Sequence, residues 1–207
     1  MGQVRIIAGQ WRRRQIPVPD RLGLRPTPDR VRETLFNWLE HLLDRNWSET
    51  HVLDVFAGTG ALGFEAGSRG ARQVTLVDHD RSACMDMQRL ALTLRADPQQ
   101  MRVVQAEGIS QLERSAEASL DLIFLDPPFR QGLIERALGP AARALRPGGL
   151  VYIESERPVE HWVDALAPHS PARGLVPMRS LKAGQVMVGL LCSEKVIAAE
   201  SGDREVL

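Results

Sequence analysis

From residue 51 to residue 154, apolar strand-like runs alternate with helical stretches, and this alternation constrains the fold more than any other feature of the chain. Val52–Phe56, Gln73–Val77, Met101–Val104, Leu120–Leu125 and Leu150–Glu154 read as strands. Between them, Ala61–Ser68, Arg81–Arg95, Ser110–Ala116 and Leu133–Leu145 read as helices, the last stopping at Arg146-Pro147-Gly148-Gly149. Strands that are nearly solid apolar runs are buried on both faces. The pattern therefore predicts a mostly parallel, Rossmann-like α/β sheet with helices on both sides. Near the end, Gly174–Met178 and Val186–Leu191 read as two strands joined by a turn at Lys182-Ala183-Gly184. They complete a seven-stranded sheet as an antiparallel hairpin at its edge.

The N-terminal stretch has a different character. Val4–Ala8 and Gln15–Val18 read as a short strand pair, and the prolines that follow make residues 17–27 an irregular loop. A helix is expected from Pro28, with Thr27 as its N-cap, because Val31, Leu35, Leu39 and Leu42 recur at helical spacing. It should end near Asp44. Residues 1–32 hold eight arginines and two acids, whereas the rest of the chain holds 18 bases and 24 acids. A basic arm on an acidic body suggests a polyanionic partner touched mainly through Arg12, Arg13, Arg14, Arg25 and Arg30. Arginine outnumbers lysine 24 to 2 overall, so the use of arginine in the arm carries little information by itself.

With 207 residues, the expected organisation is one domain with a small appendage. Residues 1–44 form the basic extension (hairpin, loop and helix), residues 45–192 the main domain, and residues 193–207 a polar tail. No apolar run approaches the ~20 residues of a membrane helix, and the opening residues lack a secretory pattern. Cys84 and Cys192 suggest neither a disulfide scaffold nor a zinc site, so no metal is expected and the cytoplasm is the default compartment. The five histidines show no metal-ligand or nucleophile spacing.

Gly58-Thr59-Gly60-Ala61-Leu62-Gly63 fits GxGxxG between a strand and a helix, and Asp78 follows 20 residues after Gly58. A dinucleotide site has this form, but Asp54 argues against it. A fixed carboxylate at this turn repels a pyrophosphate. It suits S-adenosylmethionine (SAM), which has no phosphate and carries an ammonium. Asp54, Phe56, Gly58, Thr59 and Gly60 are thus candidates for holding SAM, with Asp78 accepting from the ribose hydroxyls. As purely structural residues, Asp54 would cap a loop or helix and Asp78 would open the next helix. Glu107, after the third strand, is placed to accept from the adenine amino group, or to complement a helix dipole.

Asp126-Pro127-Pro128-Phe129 follows the most apolar strand, at the strand end where open α/β sheets bind ligands. The tetrapeptide suits methyl transfer to an exocyclic amine. The amine's lone pair is delocalised into its ring, and acceptors at both amine hydrogens favour the tetrahedral form that attacks. The Asp126 carboxylate and the Pro127 carbonyl supply two acceptors. Asp126 can take the released proton, the two prolines fix the backbone, and Phe129 offers a stacking face. The same residues would also make a rigid turn packed by a phenylalanine.

These residues resemble the RsmD family of bacterial 16S rRNA guanine-N2 methyltransferases, within the class I SAM-dependent methyltransferases. The specific likeness lies in Arg5-Ile6-Ile7-Ala8-Gly9-Gln10-Trp11-Arg12 and in the run from Gly23 to Trp38, with Lys182-Ala183-Gly184-Gln185 also matching. The resemblance implies SAM as methyl donor and a specific guanine of 16S rRNA as acceptor, within the 30S subunit or an assembly intermediate. It assigns Asp54 and the 58–63 turn to SAM, Asp78 to the ribose, and Asp126–Phe129 to the target base. Asp78 stands where glutamate is frequent, Glu107 where Asn or Asp is frequent, and Thr59 where serine is frequent. A monomer is expected, because the RNA would occupy the arm. Competing readings are transfer to adenine N6 or a protein glutamine, an NAD-dependent dehydrogenase, and a non-catalytic RNA-binding assembly factor.

Overall fold

The structure is a computed structural model that describes residues 2–18, 29–44, 46–164 and 174–193. Two compact units divide the chain at residue 108. The strands form a two-stranded sheet, β1-β2, and a seven-stranded sheet in the order β5-β4-β3-β6-β7-β9-β8.

In the first unit, β1 (Gly2–Arg5) pairs antiparallel with β2 (Gln15–Val18). The first strand is shifted from the expected Val4–Ala8: Ile7 and Ala8 leave the ladder to dock on a helix described below. The helix α1 (Asp29–Leu42) buries Val31, Leu35, Phe36 and Leu39 along the predicted stripe. The expected N-cap Thr27, Pro28, most of the proline-rich loop, Arg21 and Arg25 lie outside the described residues. A single 3₁₀ turn at Trp47–Glu49, unforeseen from sequence, buries Trp47 against the Phe36 ring at 5.9 Å. There follow β3 (His51–Asp54), α2 (Ala61–Ser68), β4 (Gln73–Asp78), α3 (Arg81–Leu94) and β5 (Met101–Gln105). β3 pairs parallel with β4, and β4 with β5. The core of this unit includes Leu53, Val55, Phe64, Leu76, Val77 and Met87.

The hairpin is held by α2 rather than by its own two strands alone. Glu65, fully buried, accepts from the Ile7 N–H at 2.6 Å and the Ala8 N–H at 3.0 Å, and Arg69 Nε donates back to it at 2.9 Å. Ser68 Oγ accepts from the Trp11 N–H and donates to the Ala8 carbonyl. Trp11 is buried, edge-on to Phe64. Gly9 has φ +80° and faces the Ser68 carbonyl so closely that a Cβ would overlap it. Arg32 is also buried, donating to the Arg5 carbonyl and Asp29 at 2.8 Å.

The second unit begins one residue into α4 (Gly108–Glu113), followed by β6 (Leu120–Leu125), α5 (Leu133–Ala144), β7 (Leu145–Ser155), α6 (Val159–Asp164), β8 (Leu175–Ala183) and β9 (Val186–Ser193). β6 pairs parallel with β7, and β7-β9 and β9-β8 are antiparallel, which gives the predicted terminal hairpin. Several boundaries differ from expectation: α4 starts and ends earlier than Ser110–Ala116, and β8 runs past Met178 to Ala183, so Lys182 and Ala183, expected in the turn, pair with Met187 and Val186. β7 starts at Leu145 and runs through Arg146-Pro147-Gly148-Gly149, because its register against β6 shifts between Leu120 and Leu122 and Gly148 absorbs a positive φ of +76°. The helix α6 was not foreseen. Ser193, expected in the tail, pairs with Leu175, and the tail beyond it lies outside the described residues. Phe124, Leu138, Leu145, Tyr152 and Leu190 are fully buried in this unit.

Candidate active site

In the first unit, the turn between β3 and α2 owes its shape to two glycines and two acids. Gly58 and Gly60 have φ of +55° and +78°, left-handed conformations that favour glycine. Gly60 is the N-cap of α2, and a Cβ there would press on the Phe64 ring at 2.7 Å. Asp54 is 2% exposed, and its Oδ2 accepts from the Gly63 N–H at 3.1 Å, at the positive end of α2. Asp78 Oδ2 accepts from the Gly58 N–H at 2.8 Å and Oδ1 from the Asp80 N–H at 2.8 Å. The cap of α3 falls to Asp80, which accepts from the Ser82 and Ala83 N–H groups. Asp54 and Asp78 therefore brace the turn, a task compatible with the ligand contacts expected of them.

The segment after β5 closes on this turn. Gly108 lies so near the Val55 carbonyl and the Phe56 ring that a Cβ would collide with the former. Glu107, just before it, is exposed, while Phe56, Gly58 and Thr59 are half-buried. The rim made by Asp54, Phe56, Gly58, Thr59, Asp78 and Glu107 has three carboxylates and no basic side chain. Its donor and acceptor chemistry fits a ligand with an ammonium, a sulfonium and a ribose, and opposes a pyrophosphate.

In the second unit, the buried end of β6 delivers Asp126, which is half-buried, then Pro127, which is buried, and Pro128 and Phe129, which are exposed. Phe129 keeps 42% of its surface open. Two residues that sequence reasoning passed over belong to the same region. Tyr152 and Glu154 are both buried, and Tyr152 Oη donates to Glu154 Oε1 at 2.8 Å. Burial first, then the negative charges of Glu154 and Asp126, hold the Tyr152 hydroxyl well above its ordinary value of 10.0. It stays protonated and remains a donor. The signal was available in Tyr152-Ile153-Glu154: residues two apart on a strand share a face, and two polar residues on the inner face of an apolar strand need each other. A cavity of about 270 Å³ opens beside this loop, lined among others by Pro127, Pro128, Phe129 and Trp162.

Arg12, Arg13 and Arg14 are exposed on the turn of the N-terminal hairpin, and Arg30 is exposed at the start of α1; Arg25 lies outside the described residues. Trp11 packs the hairpin onto α2 and is not open for stacking. Among the described residues, no group of three or more His, Cys, Asp or Glu side chains can hold a metal, and no helix is long and apolar enough to cross a membrane.

Residues 4–188 match the family model described as Conserved hypothetical protein 95. The chain is 45% identical to the ribosomal RNA small subunit methyltransferase D of Escherichia coli K12, over 75% of this chain and 76% of that protein. It is 41% identical to its namesake in Haemophilus influenzae, over 75% and 80%. Among solved structures, the E. coli yhhF protein superposes with a TM-score of 0.75 at 40% identity, covering 93% of this chain and 99% of that one. The H. influenzae protein HI0767 gives 0.73 at 32%, again over 93% and 99%. An α/β sheet of this order, with an N-terminal hairpin docked on α2 and family-wide similarity across nearly its whole length, places the chain in the RsmD family of SAM-dependent methyltransferases.

Proposed function

We propose that the protein transfers a methyl group from SAM to the exocyclic N2 of a guanine in 16S rRNA, within the 30S subunit or an assembly intermediate. The observation that carries this reading is the Asp126–Phe129 loop. A half-buried carboxylate is followed by a rigid, buried proline and an open aromatic face. The relatives named as ribosomal RNA small subunit methyltransferases supply the polymer.

SAM brings an electrophilic methyl group on a positively charged sulfur. The residues that would hold it are those of the acidic rim: Asp54 toward the ammonium, Gly58, Thr59 and Gly60 along the turn, Phe56 beside it, Asp78 at the ribose hydroxyls and Glu107 at the adenine amine. The Asp126 carboxylate and the Pro127 carbonyl accept from the two N2 hydrogens and draw the amine toward tetrahedral geometry. Its lone pair would then form the new N–C bond as the methyl's bond to sulfur breaks, that electron pair going to sulfur and S-adenosylhomocysteine being left. Asp126 takes the proton that N2 loses once the bond has formed. Pro128 stiffens the loop, and Phe129 stacks on a base splayed out of its helix.

The arginines Arg12, Arg13, Arg14, Arg25 and Arg30 hold phosphates and orient the RNA, adding affinity that falls with salt and little sequence information. The protein works as a monomer. Replacing Asp126 tests the chemistry: D126A should bind SAM with affinity within a few-fold of the unmodified protein by calorimetry, yet transfer no methyl. Retained turnover would remove Asp126 from the mechanism.

A further inference from the structure

Beside the amine-binding loop, the cavity of about 270 Å³ is lined not only by Pro127, Pro128 and Phe129 but also by Glu156, Arg157 and Trp162, from the segment that follows β7. Its volume is at the small end for ligand sites, suited to a single base rather than a longer stretch of nucleic acid. Glu156 and Arg157 have no part in the transfer chemistry derived above.

They are nevertheless held in place. Ser155 Oγ, buried at the end of β7, donates to the Arg157 carbonyl at 2.6 Å and accepts from the Arg157 N–H at 3.3 Å. The same oxygen accepts from Trp162 Nε1 at 2.9 Å, which ties the turn to α6. Arg157 Nη1 meets His161 Nε2 at 2.6 Å. A guanidinium can only donate, so His161 accepts there through an unprotonated nitrogen. That contact fixes one arm of the guanidinium fork; among the described residues its remaining N–H groups meet no other partner. Glu156, adjacent in the same braced turn, is exposed at the cavity wall. The other carboxylate on the wall, Glu135, sits in the first turn of α5, where the helix dipole already favours an acid.

We infer that Glu156 and Arg157 read the Watson–Crick edge of the target base and make the site select guanine. This rests on the guanine-N2 reading above. Along that edge guanine presents the N2 amine, the N1–H donor and the O6 acceptor. With N2 taken by Asp126 and the Pro127 carbonyl, the next group is a donor, which a carboxylate accepts. The one after is an acceptor, which a guanidinium serves. Adenine offers the opposite order, an acceptor at N1 and a donor at its amine, and would leave Glu156 facing a lone pair. A site built on such hydrogen bonds rejects the analogue that lacks them, because its own polar groups are then unpaired.

The test uses the full-length protein, SAM and small-subunit particles reconstituted with 16S rRNA carrying guanine or 2,6-diaminopurine at the methylated position. 2,6-Diaminopurine keeps the N2 amine but has an acceptor at N1 and an amine in place of O6. The unmodified protein should prefer guanine strongly. E156Q, whose amide can donate to N1, should reduce the guanine-to-diaminopurine ratio of kcat/KM by roughly tenfold or more, a discrimination typical of one base-edge contact. R157K, which loses the planar fork, should lower the ratio in the same direction. KM for SAM should be unchanged in both. A general fall in rate with the ratio intact would make these residues structural and overturn the assignment. If the unmodified protein places no methyl on guanine N2, the guanine reading fails, and this inference with it. That outcome is visible before any variant is compared.

Discussion

Asp54 braces the glycine turn and, on the proposed function, also meets SAM; a single substitution can separate the two. Its Oδ2 accepts from the Gly63 N–H, and its charge suits the ammonium of SAM. D54N keeps an acceptor of the same shape at that position but loses the charge. A hydrogen bond to a charged group contributes about 1.5–3 kcal/mol, so SAM binding should weaken by one to two orders of magnitude. The melting temperature should move little. Calorimetry and thermal melting on one sample check both. A collapse of the fold with no separable binding defect would mean that Asp54 serves only the turn.

The thiols and Tyr152 make a second residue-scale prediction. Burial, then the nearby Asp78 carboxylate, raises the Cys84 thiol above its ordinary value of 9.0, and burial does the same for Cys192. Both should resist alkylation at neutral pH in the native protein and react on unfolding. The same shifts set a sign for stability. Above pH 9 the unfolded chain releases thiol protons that the folded chain keeps, and above pH 10 the Tyr152 proton as well. Stability should therefore be fully present below pH 9 and fall as pH rises past it. Denaturant midpoints measured at pH 8 and pH 10.5 check this.

The arm is built as a docked element rather than a loose tail. Glu65 carries much of the docking, since it takes two backbone N–H groups of the segment after β1 while pairing with Arg69. E65A leaves those two N–H groups and Arg69 Nε without their acceptor, while Arg69 Nη1 keeps its contact with Glu40 at 2.6 Å. Each buried donor left unsatisfied costs about 1–3 kcal/mol, together enough to shift the unfolding midpoint markedly and to expose residues 2–18 to protease. The exposed arginines act differently. Replacing Arg12, Arg13 and Arg14 with alanine should leave folding intact, weaken RNA binding and flatten its dependence on salt; an unchanged salt slope would take the arm off the phosphates.

The elements were largely legible in the sequence where apolar periodicity was strong: α2 and β6 have the expected bounds, and α1 and α3 fall within a residue or two of theirs. Legibility failed where tertiary contacts decide. Ile7 and Ala8 look like strand residues but bond to Glu65, a partner 58 residues away in the case of Ile7. Arg146-Pro147-Gly148-Gly149 has the composition of a turn, yet a shift in register carries it into β7. At the candidate site, the glycine turn and Asp126–Phe129 were readable because each has a local signature. Glu156 and Arg157 were not, because their meaning depends on what packs beside them, whereas the Tyr152–Glu154 pair had its signal in the strand alternation and was passed over.

On the scale of the whole molecule, the sequence divides its charge between a basic arm and an acidic body, and in the first unit Asp54 and Asp78 brace the glycine turn while Glu107 lies on the segment that closes on it. On the proposed function, that division would let one small chain attract a polyanion while holding a cationic methyl donor, with the arginines exposed on the hairpin and α1 toward the phosphates and the carboxylates toward the donor. It also separates the account from a dehydrogenase, whose pyrophosphate would meet those carboxylates. The most direct measurement is transfer of labelled methyl from SAM to unmethylated small-subunit particles, naked 16S rRNA and duplex DNA, followed by nucleoside analysis. The account predicts label as N2-methylguanosine from the ribosomal RNA and none from the duplex. Label on adenine, on duplex DNA or on a protein glutamine, or no transfer to any of the three, would contradict it.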